Sequence, residues 1–277
     1  NMNARGTYDS VPPGDQLSLT PPPLVAQALA DDDVPFRVDG FRGLTANYGS
    51  LYGLADIRGI SPLWLGRAYA IIERGFPNPL AWELFAVRYV FTDWNELPVP
   101  SEIVGQGTDF YGDINLHRLD APRPYALLLN QYEVIADDTA ALARLDAPDF
   151  DPRRTIILNA DPSLESPSAA AGGSARVVDF APETLTIEVD SPQPALLSIA
   201  QVDYPGWHAT IDATDAPILR AYGALMAVAV PEGAHTVRLT YDPLSYRAGA
   251  LISLVAWGGL GILSLAFLFR QRKVDRQ

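Results

Sequence analysis

The chain has 277 residues, 48% apolar and 19% charged, which excludes a disordered polymer and leaves room for one or two folded domains. Its formal charge is −13, but the tail 270–277 sets Arg270, Arg272, Lys273 and Arg276 against Asp275 alone, so the rest of the chain carries a net −16. A body this acidic repels nucleic acid and anionic surfaces, and with no cysteine it has neither a disulfide framework nor a thiolate site.

Prolines at 21–23 followed by Leu24, Val25, Ala28 and Leu29 at helical spacing predict a short helix over Thr20 to Ala30. The Asp31-Asp32-Asp33 run after it reads as a water-exposed helix end and not as a cation site. Asn47-Tyr48-Gly49 and Asp56-Ile57-Arg58-Gly59 are turn-rich, and either line a polar cleft or satisfy their own backbone. Ser61-Pro62 pairs an N-cap with proline at the first helical position. It predicts a helix with Trp64, Leu65, Ala68, Tyr69 and Ile72 inward, closed by Gly75. Asn78-Pro79 repeats that start signal for a helix through Ala86, and VRYVFT (87–92) reads as a buried strand. Tyr125 to Ile135 and Thr155 to Leu158 are further strands, with a helix around Thr139–Leu145 between them. Residues 1–159 thus read as a mixed α+β domain.

Residues 160–175 are Ala-, Ser-, Gly- and Pro-rich and read as a linker or loop. The period then becomes two: Leu185, Ile187 and Val189 alternate with polar residues, as do Val237, Leu239 and Tyr241. With Leu196 to Tyr204, His208 to Asp212 and Leu225 to Val230, this predicts an antiparallel β-sandwich within 176–246. Tyr204-Pro205-Gly206-Trp207 fits a type II turn, because glycine accepts positive φ at little cost. Its aromatics either form a platform for a sugar ring or cap the sandwich core. Period-two counting places Trp207 with Ala209 and Ile211 on the apolar face, so the ring is expected to be buried. Pro231-Glu232-Gly233 reads as a second hairpin turn.

Gly249 to Phe269 is 21 residues without a charge, about 31 Å of helix at 1.5 Å per residue against a hydrocarbon core of about 30 Å. Residues 247–269 are therefore expected to cross a membrane, with the basic tail 270–277 inside and the body outside. Trp257 lies mid-span and is no interfacial anchor. The chain opens Asn1-Met2-Asn3 without an apolar signal segment, which leads to the expectation that it is the end of a larger polytopic protein. The fold class is α+β: a mixed N-terminal part, an antiparallel β-sandwich and one C-terminal transmembrane helix.

His117, His208 and His235 stand in different elements with no carboxylate at ligand spacing, and the sequence contains no zinc pattern, phosphate-binding glycine loop or nucleophile elbow. No catalytic residue, metal or cofactor is assigned from it. The candidates for glycan contact are Tyr204, Trp207, Asn47 and Tyr48.

The order RVDGFRG (37–43), NYGSLYGLADIRGISPL (47–63), FAVRYVFTD (85–93), VDYPGWHATID (202–212) and ILRAYGALMAVAVPEGAHTVRLTYDP (218–243), then one apolar helix, resembles the C-terminal part of YfhO-type bacterial membrane proteins. That family is similar to polytopic GT-C glycosyltransferases, which use polyprenyl-phosphate-linked sugars. The resemblance implies a bacterial cell-membrane location, an extracytoplasmic body and a cytoplasmic C-terminus. It also implies upstream transmembrane helices and the lipid bilayer as partners, with polyprenyl-linked sugar or envelope glycan as ligand. Where the family commonly has Asp-Gly after the YPGW strand, this chain has Asp212-Ala213-Thr214-Asp215. The acidic residue expected to act in such transferases lies in an early loop of the multi-helix region, so no catalytic residue carries over. A non-catalytic membrane-anchored envelope module that binds glycan or protein is the competing expectation. A self-sufficient hydrolase ranks last, because no acid, base and nucleophile set stands out.

Overall fold

The computed structural model describes residues 20–33, 35–44, 48–59, 65–109, 111–164 and 172–274. Contact density divides the chain into two units, one from residues 1–60 and 88–120 and the other from 61–87 and 121–277.

The first unit holds helices α1 (Pro23–Leu29) and α2 (Tyr48–Tyr52) and strands β1 (Arg37–Asp39), β2 (Val87–Thr92), β3 (Ser101–Asp109) and β4 (Gly112–Leu119). The strands form one sheet in the order β1-β2-β4-β3. Leu24, Val25 and Ala28 of α1 bury against Val38, Tyr89, Phe91, Ile114 and Leu116, so the expected helical stripe forms the core contact; Leu29 is exposed. The long β3–β4 pair escaped the sequence reading, since β3 (SEIVGQGTD) is rich in glycine and polar residues and shows little apolar alternation. Its Gly105 and Gly107 are close-approach positions, where added methyl groups would meet Leu24 and, at Gly105, Gln27.

The second unit begins with α3 (Gly66–Ile72) and α4 (Pro79–Leu84). The Ser61-Pro62 start signal and Trp64 lie outside the described residues. Ala68 and Ile72 are buried as expected, with Ile71 beside them, but Leu65 and Tyr69, also expected inward, are 43% and 40% exposed. Asn78 caps α4 as expected: its side chain accepts from the Ala81 N–H at 3.0 Å. The same amide donates to the Ile71 and Ile72 carbonyls at 2.8 and 3.1 Å, tying the end of α3 to the start of α4.

Next come β5 (Ala126–Leu129), β6 (Gln131–Val134), α5 (Asp138–Arg144) and β7 (Thr155–Leu158), then β8 (Ser174–Ala181), β9 (Thr184–Ser191) and β10 (Ala195–Val202). They are followed by β11 (Trp207–Ile211), β12 (Thr214–Ala216), β13 (Ile218–Ala221), β14 (Leu225–Val230) and β15 (Gly233–Tyr241). Two sheets result, ordered β5-β10-β14-β13-β7-β6 and β12-β11-β15-β9-β8, antiparallel except for the β6–β7 pair. The stretch 125–135, read as one strand, is broken at Asn130: β5 joins β10 on one edge and β6 joins β7 on the other.

One apolar cluster links the two sheets. Leu185, Ile187, Val189, Val237 and Leu239 come from the five-stranded sheet, and Leu197, Ile199, Met226 and Val228 from the six-stranded one. Pro231-Glu232-Gly233 is not a hairpin turn, because β14 and β15 belong to different sheets. A turn joining strands of two sheets demands the same Pro and Gly chemistry as a hairpin, so local sequence does not separate them.

The chain ends in α6 (Leu244–Val274), in which Leu244–Ser264 is long and apolar enough to cross a membrane and is unburied by the rest of the chain. The whole is a mixed α+β protein with mostly antiparallel sheets and one long apolar C-terminal helix.

Candidate functional site

The Tyr204–Trp207 turn connects β10 of one sheet to β11 of the other. Gly206 sits at φ +112°, and the Trp207 N–H lies 3.4 Å from the Tyr204 carbonyl across the turn. A side chain at Gly206 would also collide with Pro243 and Tyr241, so glycine is required there for both conformation and space. The Gly206 carbonyl accepts from the Asp242 N–H at 2.7 Å. Tyr204 and Trp207 flank Tyr241, with ring centroids 6.5 and 5.3 Å from it.

Trp207 is half-buried and packs with Ile211 and Ala216 onto the sandwich core, while His208 faces water. The structure thus brings Tyr204 and Trp207 together. Asn47 lies outside the described residues, as does the side chain of Tyr48, whose backbone opens α2.

Other polar groupings were not legible as sets. His235 Nδ1 lies 2.6 Å from Asp212 Oδ2, and its Nε2 lies 2.9 Å from the Glu232 carbonyl. The hydrogen bond with Asp212 pushes the imidazole pKa up, and the same bond pulls that of Asp212 down. Asp212 also accepts from the Thr236 N–H, so the pair pins the β11–β12 turn onto β15. A carboxylate does meet a histidine here, 23 residues away in sequence.

In the first unit, buried Asp39 accepts from Arg58 Nε at 2.5 Å and Nη2 at 3.2 Å. Asp56 accepts from the Gly40 and Arg58 backbone N–H groups at 3.0 and 2.9 Å, and burial raises its pKa. The Asp56–Arg58 turn therefore closes on the Asp39-Gly40 segment through carboxylates. Asp31, expected in water, accepts from Arg88 and from the Tyr89 hydroxyl, whose pKa burial pushes up to about 12. His117 is buried between Ser101 Oγ and the Trp94 carbonyl. In the second unit, a cleft of about 390 Å³ lies beside the edge strand β5, lined by Gln131, Arg153, Arg154, Gly173 and Ser174 among others.

Among the described residues no group of three or more acidic or histidine ligands is placed to hold a metal. The pairings above each tie one backbone segment to another, which is what buried polar groups require in order to be satisfied.

The sandwich, with the helix that follows it, is what the family comparison recognises. Residues 172–253 match the family model of the bacterial membrane protein YfhO. The YfhO match covers less than a third of the chain. It takes in the whole five-stranded sheet, β10, β13 and β14 of its partner, and the first turns of α6. It therefore contains both the Tyr204–Trp207 turn and the Asp212–His235 pair. No curated protein and no solved structure matches the chain.

Proposed function

We propose that this chain is the extracytoplasmic portion of a YfhO-like polytopic membrane protein that takes part in transferring sugars from polyprenyl-phosphate donors during envelope glycan assembly. In this reading the chemistry is supplied by membrane-embedded helices that partner this chain. The observation that carries it is the YfhO match running unbroken from the sandwich into α6, which joins a folded acidic body to an apolar span. The clustered basic residues after Phe269 support an inside C-terminus and, across a single span, an outside body.

Membranes from cells lacking the protein should incorporate less labelled sugar from polyprenyl-phosphate donors into envelope glycan; unchanged incorporation refutes the sugar-transfer reading. Cysteines introduced at Glu232 and Val274 test the topology separately, since only the first should react with an impermeant maleimide in intact cells.

A second reading, a non-catalytic module binding envelope glycan or protein, draws support from the cleft beside β5, whose lining combines leucines with Gln131, Arg153 and Arg154. In that case the purified full chain binds glycan, and transfer is unaffected by its loss.

A further inference from the structure

We propose that the Tyr204-Pro205-Gly206-Trp207 turn is a lipid-interface anchor: with Tyr241 and Tyr246 it forms an aromatic collar that seats the sandwich on the outer headgroup layer. The proposal rests on the reading that α6 spans the bilayer, and adds how the body is held against it.

Continuity places the collar. Tyr241 ends β15, and only Asp242 and Pro243 separate it from Leu244, the first residue of α6. The turn is fixed to this junction by the Asp242 N–H to Gly206 carbonyl bond and by the close approach of Gly206 to Pro243. The uncharged stretch Gly249–Phe269 spans about 31 Å at 1.5 Å per residue, close to the hydrocarbon thickness of about 30 Å. The polar layer on each side is about 5–7 Å deep; at 1.5 Å per residue Tyr246 lies about 5 Å beyond Gly249 and within it, and the turn bonded to Asp242 stands just above it, about 10 Å from Gly249.

Chemistry favours the same location. Tyr204 is 46% exposed, Tyr246 74% and Leu244 79%, a set of large apolar surfaces around one point of an otherwise acidic body. Tyrosine and tryptophan rings are favoured where one end of the side chain is in hydrocarbon and the other in water. An acidic body gains no attraction from anionic headgroups, so a neutral aromatic contact is the kind that holds it. The charges at the junction are matched internally, Asp242 being paired with Arg247. Trp207 packs on both Tyr241 and the sandwich core, so the collar and the sandwich move as one piece. These contacts take up much of the surface a sugar platform at Trp207 needs.

The chain has no cysteine, so single nitroxide labels can be placed without background. Tyr204→Cys, Tyr246→Cys, Leu254→Cys and Glu232→Cys are made in the full chain and reconstituted into phosphatidylcholine–phosphatidylglycerol nanodiscs. Glu232 lies at the far end of β15, about 30 Å from Tyr241 at 3.3 Å per residue. Collision with a water-soluble nickel relaxant should be high at 232, nearly absent at 254, and several-fold below the 232 value at 204 and 246. Replacing phosphatidylglycerol by phosphatidylcholine should leave that pattern unchanged. Labels at 204 and 246 as water-accessible as the one at 232, with 254 still shielded, overturn the anchor while leaving the span intact. Water access at 254 overturns the membrane reading and the anchor with it. The exposed 246 position keeps the test open if Tyr204→Cys fails to fold.

Discussion

Asn78 tests whether local signals and tertiary packing meet in one side chain. It is 5% exposed, accepts from the Ala81 N–H and donates to the Ile71 and Ile72 carbonyls, so Asn78→Ala removes three hydrogen bonds at once. Loss of the cap costs about 1 kcal/mol. The two carbonyls lie at the end of α3, where helical partners run out, and leaving each unsatisfied in a buried site costs about 1 kcal/mol more. The expected loss is therefore about 3 kcal/mol, a fall in melting temperature of roughly 6–12 °C for a unit of this size. Asn78→Asp keeps the cap acceptor but sets a carboxylate against two carbonyl oxygens, so it should still lose about 2 kcal/mol. Urea titration of the full chain in detergent, with hydrogen exchange at the Ala81 amide, measures both. A loss under about 1 kcal/mol for Asn78→Ala at unchanged m-value, or an Asn78→Asp variant as stable as the parent, refutes the reasoning.

Asp212 and Ala213 both adopt positive φ, +49° and +68°, in a two-residue hairpin turn, a conformation that favours glycine at the second position. Ala213→Gly should therefore raise stability by about 1 kcal/mol, read as a higher melting temperature; a lower one refutes the strain argument. Trp207→Ala removes a half-buried ring from the core edge and should cost about 2 kcal/mol, whereas an unchanged melting temperature would show that the ring does not support the sandwich. The Asp212–His235 pair carries a pH signature. The Asp212 contribution is present above its ordinary 3.8 and lost as pH falls through its lowered folded value. The His235 contribution is present below 6.5 and lost as pH rises through its raised folded value, so the pair supports the turn most between those limits. The stability difference between the parent and His235→Gln should shrink as pH rises towards about 9; a constant difference rules the ion pair out.

The sequence by itself determined the features set by near neighbours. The period-two run Leu185, Ile187, Val189 forms β9 with those residues buried, and VRYVFT forms β2 over the expected residues. Asn78-Pro79 starts α4, because a cap acceptor and a fixed φ act within one turn of helix. The uncharged stretch after Gly249 forms a long helix, exposed through Ser264, for the same reason, its composition sufficing without any partner.

Only the tertiary structure decided which strands meet. β5, β6 and β7, which precede the 160–175 segment, hydrogen-bond into one sheet with β10, β13 and β14. A strand's alternation is the same whichever neighbour it joins, and loop-closure entropy grows too slowly with length to favour the nearer one. For the same reason Asp212 could not be matched to His235, Asp39 to Arg58, or Asp31 to Arg88 from sequence. Each pair is joined by a fold-level approach of segments 19 to 57 residues apart, and nothing local to either partner records it.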